Sequence, residues 1–258
     1  QSTLTRYVSL ATVYNNRFDA MAFFNYQPPM VPYLKIIYQD DDILVIDKPA
    51  WILSVRGRGD AHQDSIQKRV NTVFPQAYIV HRLDMATSGL MVLAMHKTAS
   101  THLGKQFAER KTHKIYYARV LGHPINDEGV CDAPLIVDWP NRPKQKICYQ
   151  TGKASLTHYR VISRDDKTSL VRLEPKTGRS HQLRVHMLSL GHPILGDRLY
   201  SSEASRIGIK TMHLHAGELG FTHPKTHQWL EFTSEHCFSD EPANVQSIVL
   251  ESLLKDNF

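Results

Sequence analysis

With 258 residues, 41% of them hydrophobic and 22% charged, the chain has the makeup of an ordinary globular protein and is long enough for one sizeable core. Lysine and arginine number 31 against 25 aspartates and glutamates, a formal charge of +6, which is compatible with a polyanionic partner without requiring one. No apolar run approaches the roughly 18 residues of a membrane span. Cys131, Cys148 and Cys237 are widely spaced, odd in number and free of any Cys-x-x-Cys pattern, which speaks against a secreted disulfide framework and for reduced thiols in the cytoplasm.

Residues 1–20 precede Met21, which reads as a natural start, so they are expected to be an extension the fold does not need. Gln27 to Pro32 is an extended, proline-rich lead-in, and 1–33 together form the first segment. Leu34 to Tyr38 and Ile43 to Asp47 read as two strands joined by an acidic turn, the second ended by Lys48-Pro49. Ser65 to Phe74 has helical spacing, Tyr78 to Val80 is a short strand, Thr87-Ser88-Gly89 is turn chemistry, and Leu90 to Ala94 is a buried strand. A second helix is predicted over Thr98 to Arg110, and strands over Tyr116 to Leu121 and Ser169 to Leu173. In Gly178 to Leu190 the apolar positions fit either period. Met212 to His215 and Trp229 to Phe232 read as short strands, and Ser239 as the cap of a final amphipathic helix over 239–258. Strands and helices without strict alternation favour an α+β fold, with one catalytic domain over 34–238.

Chemistry-bearing residues are concentrated in His81-Arg82-Leu83-Asp84-Met85-Ala86-Thr87-Ser88-Gly89. Arg82 and Asp84 are two apart, so on an extended backbone they point to one face. Basic residues cluster in 105–119 (Lys105, Arg110, Lys111, Lys114, Arg119) and in 138–153 (Arg142, Lys144, Lys146, Lys153), the latter with Trp139 and Tyr149 interleaved. Such a mixture suits phosphate contact with base stacking. Histidine is abundant, with His181 and His186 five apart and His213 alternating with His215, yet no metal motif, Walker loop or dinucleotide fingerprint appears. The expectation is therefore no metal and no cofactor. Residue types alone leave open a surface Arg82–Asp84 pair capping a hairpin, a catalytically silent RNA-binding module, and a hydrolase with an Asp nucleophile or a His-bound metal.

The motif His-Arg-Leu-Asp-x-x-Thr-Ser-Gly resembles the signature of the RluA-type pseudouridine synthases, and further segments follow in that family's order. These are Asp47-Lys48-Pro49, Lys114-Ile115-Tyr116-Tyr117, Leu173 to His186 around Gly178-Arg179-Ser180-His181-Gln182-Leu183-Arg184, and Gly191 to Asp197. Residues 131–152 look like the branch that modifies both ribosomal RNA and transfer RNA stem-loops. The resemblance implies a mixed, largely antiparallel sheet with flanking helices around a catalytic cleft. It implies a cofactor-free isomerisation of uridine, in which the N-1 to C-1′ bond breaks and C-5 bonds to C-1′. Asp84 would be the essential carboxylate, as nucleophile or as base. Arg184 would be its partner, and Tyr116 would stack on the uracil. Arg82 would fill the space left by a flipped base, and His81 would contact phosphate or shape the turn. Lys48, Arg142, Lys144 and Lys146 would meet backbone phosphates. Arg179 and His181 lie in the motif without an assigned role. Structured RNA is the implied partner, with no membrane and no obligate protein partner.

Overall fold

The computed structural model describes residues 26–236 and Phe238, apart from Ala204 and Ile207. The expected extension over 1–20, the helix expected after Ser239 and the thiol of Cys237 lie outside the described residues. Twelve strands are described: β1 Ile36–Gln39, β2 Ile43–Lys48, β3 Tyr78–Ile79, β4 Ser88–Ala94, β5 His113–Leu121, β6 Glu128–Cys131, β7 Leu135–Val137, β8 Gln145–Ile147, β9 Thr157–Arg164, β10 Thr168–Pro175, β11 Leu214–Thr222 and β12 Trp229–Thr233. Three α-helices accompany them: α1 Ile66–Val73, α2 Lys97–Ala108 and α3 Gln182–Ser189. Ten strands form one sheet in the order β1-β2-β4-β11-β5-β10-β9-β6, with β3 on β4 and β12 on β11, while β7 and β8 form a separate hairpin. Every pairing is antiparallel except β4 with β11. The architecture is α+β, as expected.

The seam between β4 and β11 positions the site. Only His215 with Ser88 and Ala216 with Gly89 pair across it, and a Cβ on Gly89 would lie 2.4 Å from the Ala216 carbonyl oxygen. Gly89 also has φ +112, so a side chain there is excluded by both backbone and space. The glycine that closes the sequence motif thus lets two halves of the sheet meet. The turn falls earlier than expected, at Met85-Ala86, where Thr87 N–H reaches Asp84 O at 3.1 Å, and Ser88-Gly89 already belong to β4. On the neighbouring strand β5, Tyr116 stands opposite Ala216 and Leu173. The β5–β11 register slips between Ala216 and Glu218, a bulge of the kind that re-aims side chains beside functional sites.

Several local predictions are met with small shifts. Ser65 caps α1 by accepting from Lys68 N–H at 3.1 Å. Helix α2 ends at Ala108 rather than Arg110, because Arg110 turns left-handed (φ 58) and the Lys111 and Arg110 amides return to Gln106 and Phe107 carbonyls. The strand expected at Met212 to His215 starts at Leu214 and runs to Thr222, and β6, β7, β8 and β9 are additional. Three apolar clusters fill the two faces of the sheet. One of them, around Ile46, Ile52, Leu83, Met91 and Ala216, lies under the Asp84 loop.

Candidate active site

A cleft of about 1530 Å³ is lined by the loop entering β4, by Tyr116 of β5, by the tip of the β7–β8 hairpin and by the entry to α3. Asp84 lies on the loop entering β4, with Leu83 turned into the core while Arg82 and Asp84 face the cleft. The two-residue spacing therefore holds. Arg184 comes from the first turn of α3, where nearly the whole helix is buried. Its guanidinium is gripped on one edge by Asp197, with Nε and Nη2 donating to the two carboxylate oxygens at 2.7 and 2.8 Å. The remaining Nη1 donates to Asp84 Oδ2 at 3.1 Å. The forked contact with Asp197 fixes the plane, so the single contact with Asp84 has a set direction. Burial alone would lower the Arg184 pKa; the hydrogen bonds and charge of Asp197, then the charge of Asp84, push it above the ordinary arginine value.

Burial works against ionising Asp84, yet nearby positive charge from His181, Arg184 and Lys48, with the Arg184 hydrogen bond, holds its carboxyl below the usual carboxylate range. His181 is itself shifted down by burial, so at neutral pH the guanidinium is the dominant partner. Asp84 Oδ1 accepts no hydrogen bond among the described residues, and the side chain keeps 27% of its surface open to the cleft. An anionic oxygen with no protein partner, aimed into a cleft, can attack carbon or take a proton. Tyr116 lines the same space, and burial followed by the Asp84 charge pushes its phenol upward, keeping it protonated.

The cleft is strongly positive. Arg56, Arg58, Arg82, Arg110, Arg142, Arg179, Arg184, Arg198 and Lys114 line it, and Asp84 is its only acidic residue among those described. Arg142 stacks over Trp139 at 4.0 Å at the tip of the β7–β8 hairpin, and Arg198 over Trp51 at 4.3 Å. Trp51, Arg110 and His181 each have positive φ, three of the four such non-glycine residues described. Bulky residues in that region cost roughly 1–2 kcal/mol each, and such strain concentrates at functional sites.

Other expected contacts fall elsewhere. Lys48 is completely buried, its Nζ donating to the carbonyls of Pro49, Ile52 and Met85 at 3.0, 2.9 and 3.1 Å, so it braces the Asp84 loop from below rather than meeting a phosphate. Burial lowers its pKa to about 7, against the pull of Asp84 and Asp47. The His81 ring stacks on Phe107 at 4.4 Å, and its Nε2 accepts the Val92 N–H at 3.0 Å. Burial, then Lys114, drives its pKa to about 3, so His81 is a neutral brace for β4 and not a phosphate-binding cation. Lys146 pairs with Asp138 at 3.5 Å, and neither it nor Lys144 lines the cleft.

Asp197, His181 and Tyr200 complete the site and were not singled out from the sequence as site residues. The order Gly196-Asp197 was the only signal for Asp197, and Tyr200 carried none. A cluster of Asp40, Asp42 and His223, with ligand atoms within 4.8 Å of one another, lies at the far end of the sheet. Among the described residues no helix is long and apolar enough to cross a membrane.

Residues 42–189 match the family model described as RNA pseudouridylate synthase. A Vibrio parahaemolyticus protein named dual-specificity RNA pseudouridine synthase RluA is 53% identical over 84% of this chain and 88% of its own length. The Escherichia coli protein of the same name is 56% identical over 79% of this chain and 94% of its own. Among solved structures, human RNA pseudouridylate synthase domain containing 1 superposes with a TM-score of 0.70 at 28% identity, covering 89% of this chain and 96% of that one.

Proposed function

The chain belongs to the RNA pseudouridylate synthase family, and from that premise we propose that it converts particular uridines to pseudouridine in both ribosomal RNA and transfer RNA stem-loops, with Asp84 as the reacting carboxylate. The observation that carries the reading is the pairing of one cleft carboxylate with a surplus of unspent cations. Arg56, Arg58, Arg82, Arg110 and Lys114 line the cleft, and their side chains make no hydrogen bond or ion pair with the described residues. Five desolvatable positive groups around one anion suit a polyanionic backbone that delivers a neutral base to the carboxylate.

In this reading the uridine leaves its stack and enters over Asp84, because its sugar carbon is hidden in structured RNA. Asp84 Oδ1 either attacks carbon or removes a proton, while Arg184 holds Oδ2 still. Tyr116, protonated and beside the carboxylate, stacks on the uracil. Arg82, exposed at the cleft edge two residues from Asp84, takes the space vacated by the base. Arg142, displayed with Trp139 on the hairpin, meets the RNA backbone. Lys48 and His81 are not phosphate contacts, and the catalytic unit spans 34–238 and works in the cytoplasm.

Incubation of the protein with unmodified ribosomal RNA and transfer RNA, followed by pseudouridine mapping, tests the substrate range. Defined sites in both RNAs are expected. Modification of one class alone would remove the dual range, and modification of neither would remove the reading.

A further inference from the structure

Behind the carboxylate, three groups from three elements form a hydrogen-bond chain with a fixed direction. The backbone N–H of Gln145, on β8, donates to Tyr200 Oη at 2.7 Å. Tyr200 Oη lies 2.7 Å from His181 Nδ1 and has no other acceptor for its proton among the described residues, so the phenol donates to the ring. With Nδ1 accepting, the neutral imidazole carries its proton on Nε2. That Nε2 lies 3.8 Å from Asp84 Oδ2. The ring is held for the purpose: His181 sits left-handed (φ 54) immediately before α3, and Tyr200 packs edge-on to it and lies 5.0 Å from the Arg184 guanidinium carbon.

A separation of 3.8 Å is too long for a hydrogen bond, and sites without substrate often show catalytic contacts in this loosened form. The other end of the chain is on the hairpin that carries Trp139 and Arg142 into the cleft. We propose that His181 and Tyr200 are positioning residues that couple this hairpin to the reaction: when RNA seats on the hairpin, Gln145, Tyr200 and His181 shift together and bring the His181 Nε2–H onto Asp84. This rests on the reading of Asp84 as the reacting carboxylate. Donation from a neutral ring orients Asp84 without capturing its proton. Burial, outweighing the attraction of Asp84, keeps His181 neutral, and the charged and titratable groups facing it are Asp84, Arg184, Asp197 and Tyr200. Protonation would make Nδ1 a donor, so the Tyr200 hydroxyl would have to turn its proton away and accept instead, which reverses the chain at that contact.

The test is single-turnover tritium release from a stem-loop RNA labelled at uracil C-5, with RNA affinity and melting temperature measured in parallel. His181→Asn keeps a residue tolerant of left-handed backbone and an acceptor for Tyr200, but loses the Nε2 donor. Tyr200→Phe removes only the hydroxyl. Each is expected to slow the chemical step by about tenfold, as for loss of one hydrogen bond to a charged group, with RNA affinity unchanged. The double variant is expected to be no slower than His181→Asn alone. The acid limb of the rate should move to higher pH in His181→Asn, because Asp84 loses a donor, and His181→Gln, which restores an N–H at that position, should move it back. Wild-type rates and pH limbs in both single variants would overturn the inference, as would losses confined to affinity or melting temperature, or additive losses in the double variant. Asp84→Asn serves as the control: if it keeps activity, the reading of Asp84 fails; if it is inactive while His181→Asn is not impaired, only the coupling fails.

Discussion

The two ends of strands β2, β4 and β11 carry similar residues and use them in opposite ways. At the end nearest Met85, Asp84 faces Arg184 with one oxygen unspent, and five cations around it have no partner among the described residues. At the other end, Asp40, Asp42, His96 and His223 gather, yet both Asp40 oxygens and all four ring nitrogens are used internally, and the one oxygen left over, Asp42 Oδ2, faces no cleft among the described residues. Asp40 accepts the Asp42 and Ile43 amides at 2.8 Å, His223 Nε2 meets Asp40 at 3.0 Å, and His96 Nε2 meets Asp42 at 2.9 Å. Both ring Nδ1 atoms accept backbone N–H groups, from Thr226 at 3.1 Å and from Ala99 at 3.3 Å. Each neutral ring therefore holds its proton on Nε2, directed at a carboxylate, and offers no free lone pair to a metal. Density of titratable residues does not mark a site. Unspent valence facing a cleft does.

Substitutions at the two ends test that contrast. The largest effect is expected from Asp197→Asn, which takes the fork from a buried guanidinium: a loss of about 3–5 kcal/mol in stability, read by denaturant titration, together with a fall in activity as Arg184 loses its plane. Lys48→Met leaves three carbonyls under the Asp84 loop without their donor and should cost about 2–4 kcal/mol. Its pH dependence has a defined sign. The folded pKa of about 7 lies below the ordinary 10.5, so the unfolded chain binds the extra proton between these values. Lys48 thus adds stability as pH rises through that window and loses the contribution as pH falls to 7. The gap in melting temperature between wild type and Lys48→Met should widen from pH 7 towards pH 10.

Smaller effects separate the two ends. Arg110→Gly relieves a left-handed arginine and should stabilise the end of α2 by about 0.5–1 kcal/mol, while lowering the salt slope of RNA binding by about 1. His227→Gly relieves the same backbone strain (φ 58) at the opposite end, and should give the stabilisation with no change in RNA binding. Equal effects of both substitutions on the salt slope would abolish the distinction between the ends.

How far the sequence discloses this arrangement depends on where each signal originates. Strands β2 and β4 and helix α1 are legible because they bury a whole strand or one face next to turn residues, whereas β1, exposed at all four residues, is legible only from its apolar composition ahead of the acidic turn. Helix α3 is not, because Gln182 to Met187 are all buried and a helix covered on every side has no amphipathic period. Strand β9 is hidden by its composition: most of Thr157–Arg164 is polar, and only Thr157 is buried. Only the start of β11 is legible, because Gly217, Glu218 and Gly220 interrupt the apolar run, although most of the strand is buried. At the site, Asp84, Arg184 and Tyr116 could be named from motif resemblance, and they do converge. Lys48 and His81 came with the same motifs, and only burial shows that they brace the loop and β4 from within. Tyr200 acts through distances between separate segments, which spacing along the chain does not encode.

In the proposed reaction Asp84, held by Arg184, performs the chemistry in a cleft whose cations hold the RNA. Tritium release from RNA labelled at uracil C-5, without added cofactor, tests it most directly when wild type and Asp84→Asn are compared on RNA that both bind. Release by wild type is expected, with a loss of about a thousandfold or more in the variant and RNA affinity retained. Release by Asp84→Asn at a rate near wild type would contradict this role of Asp84.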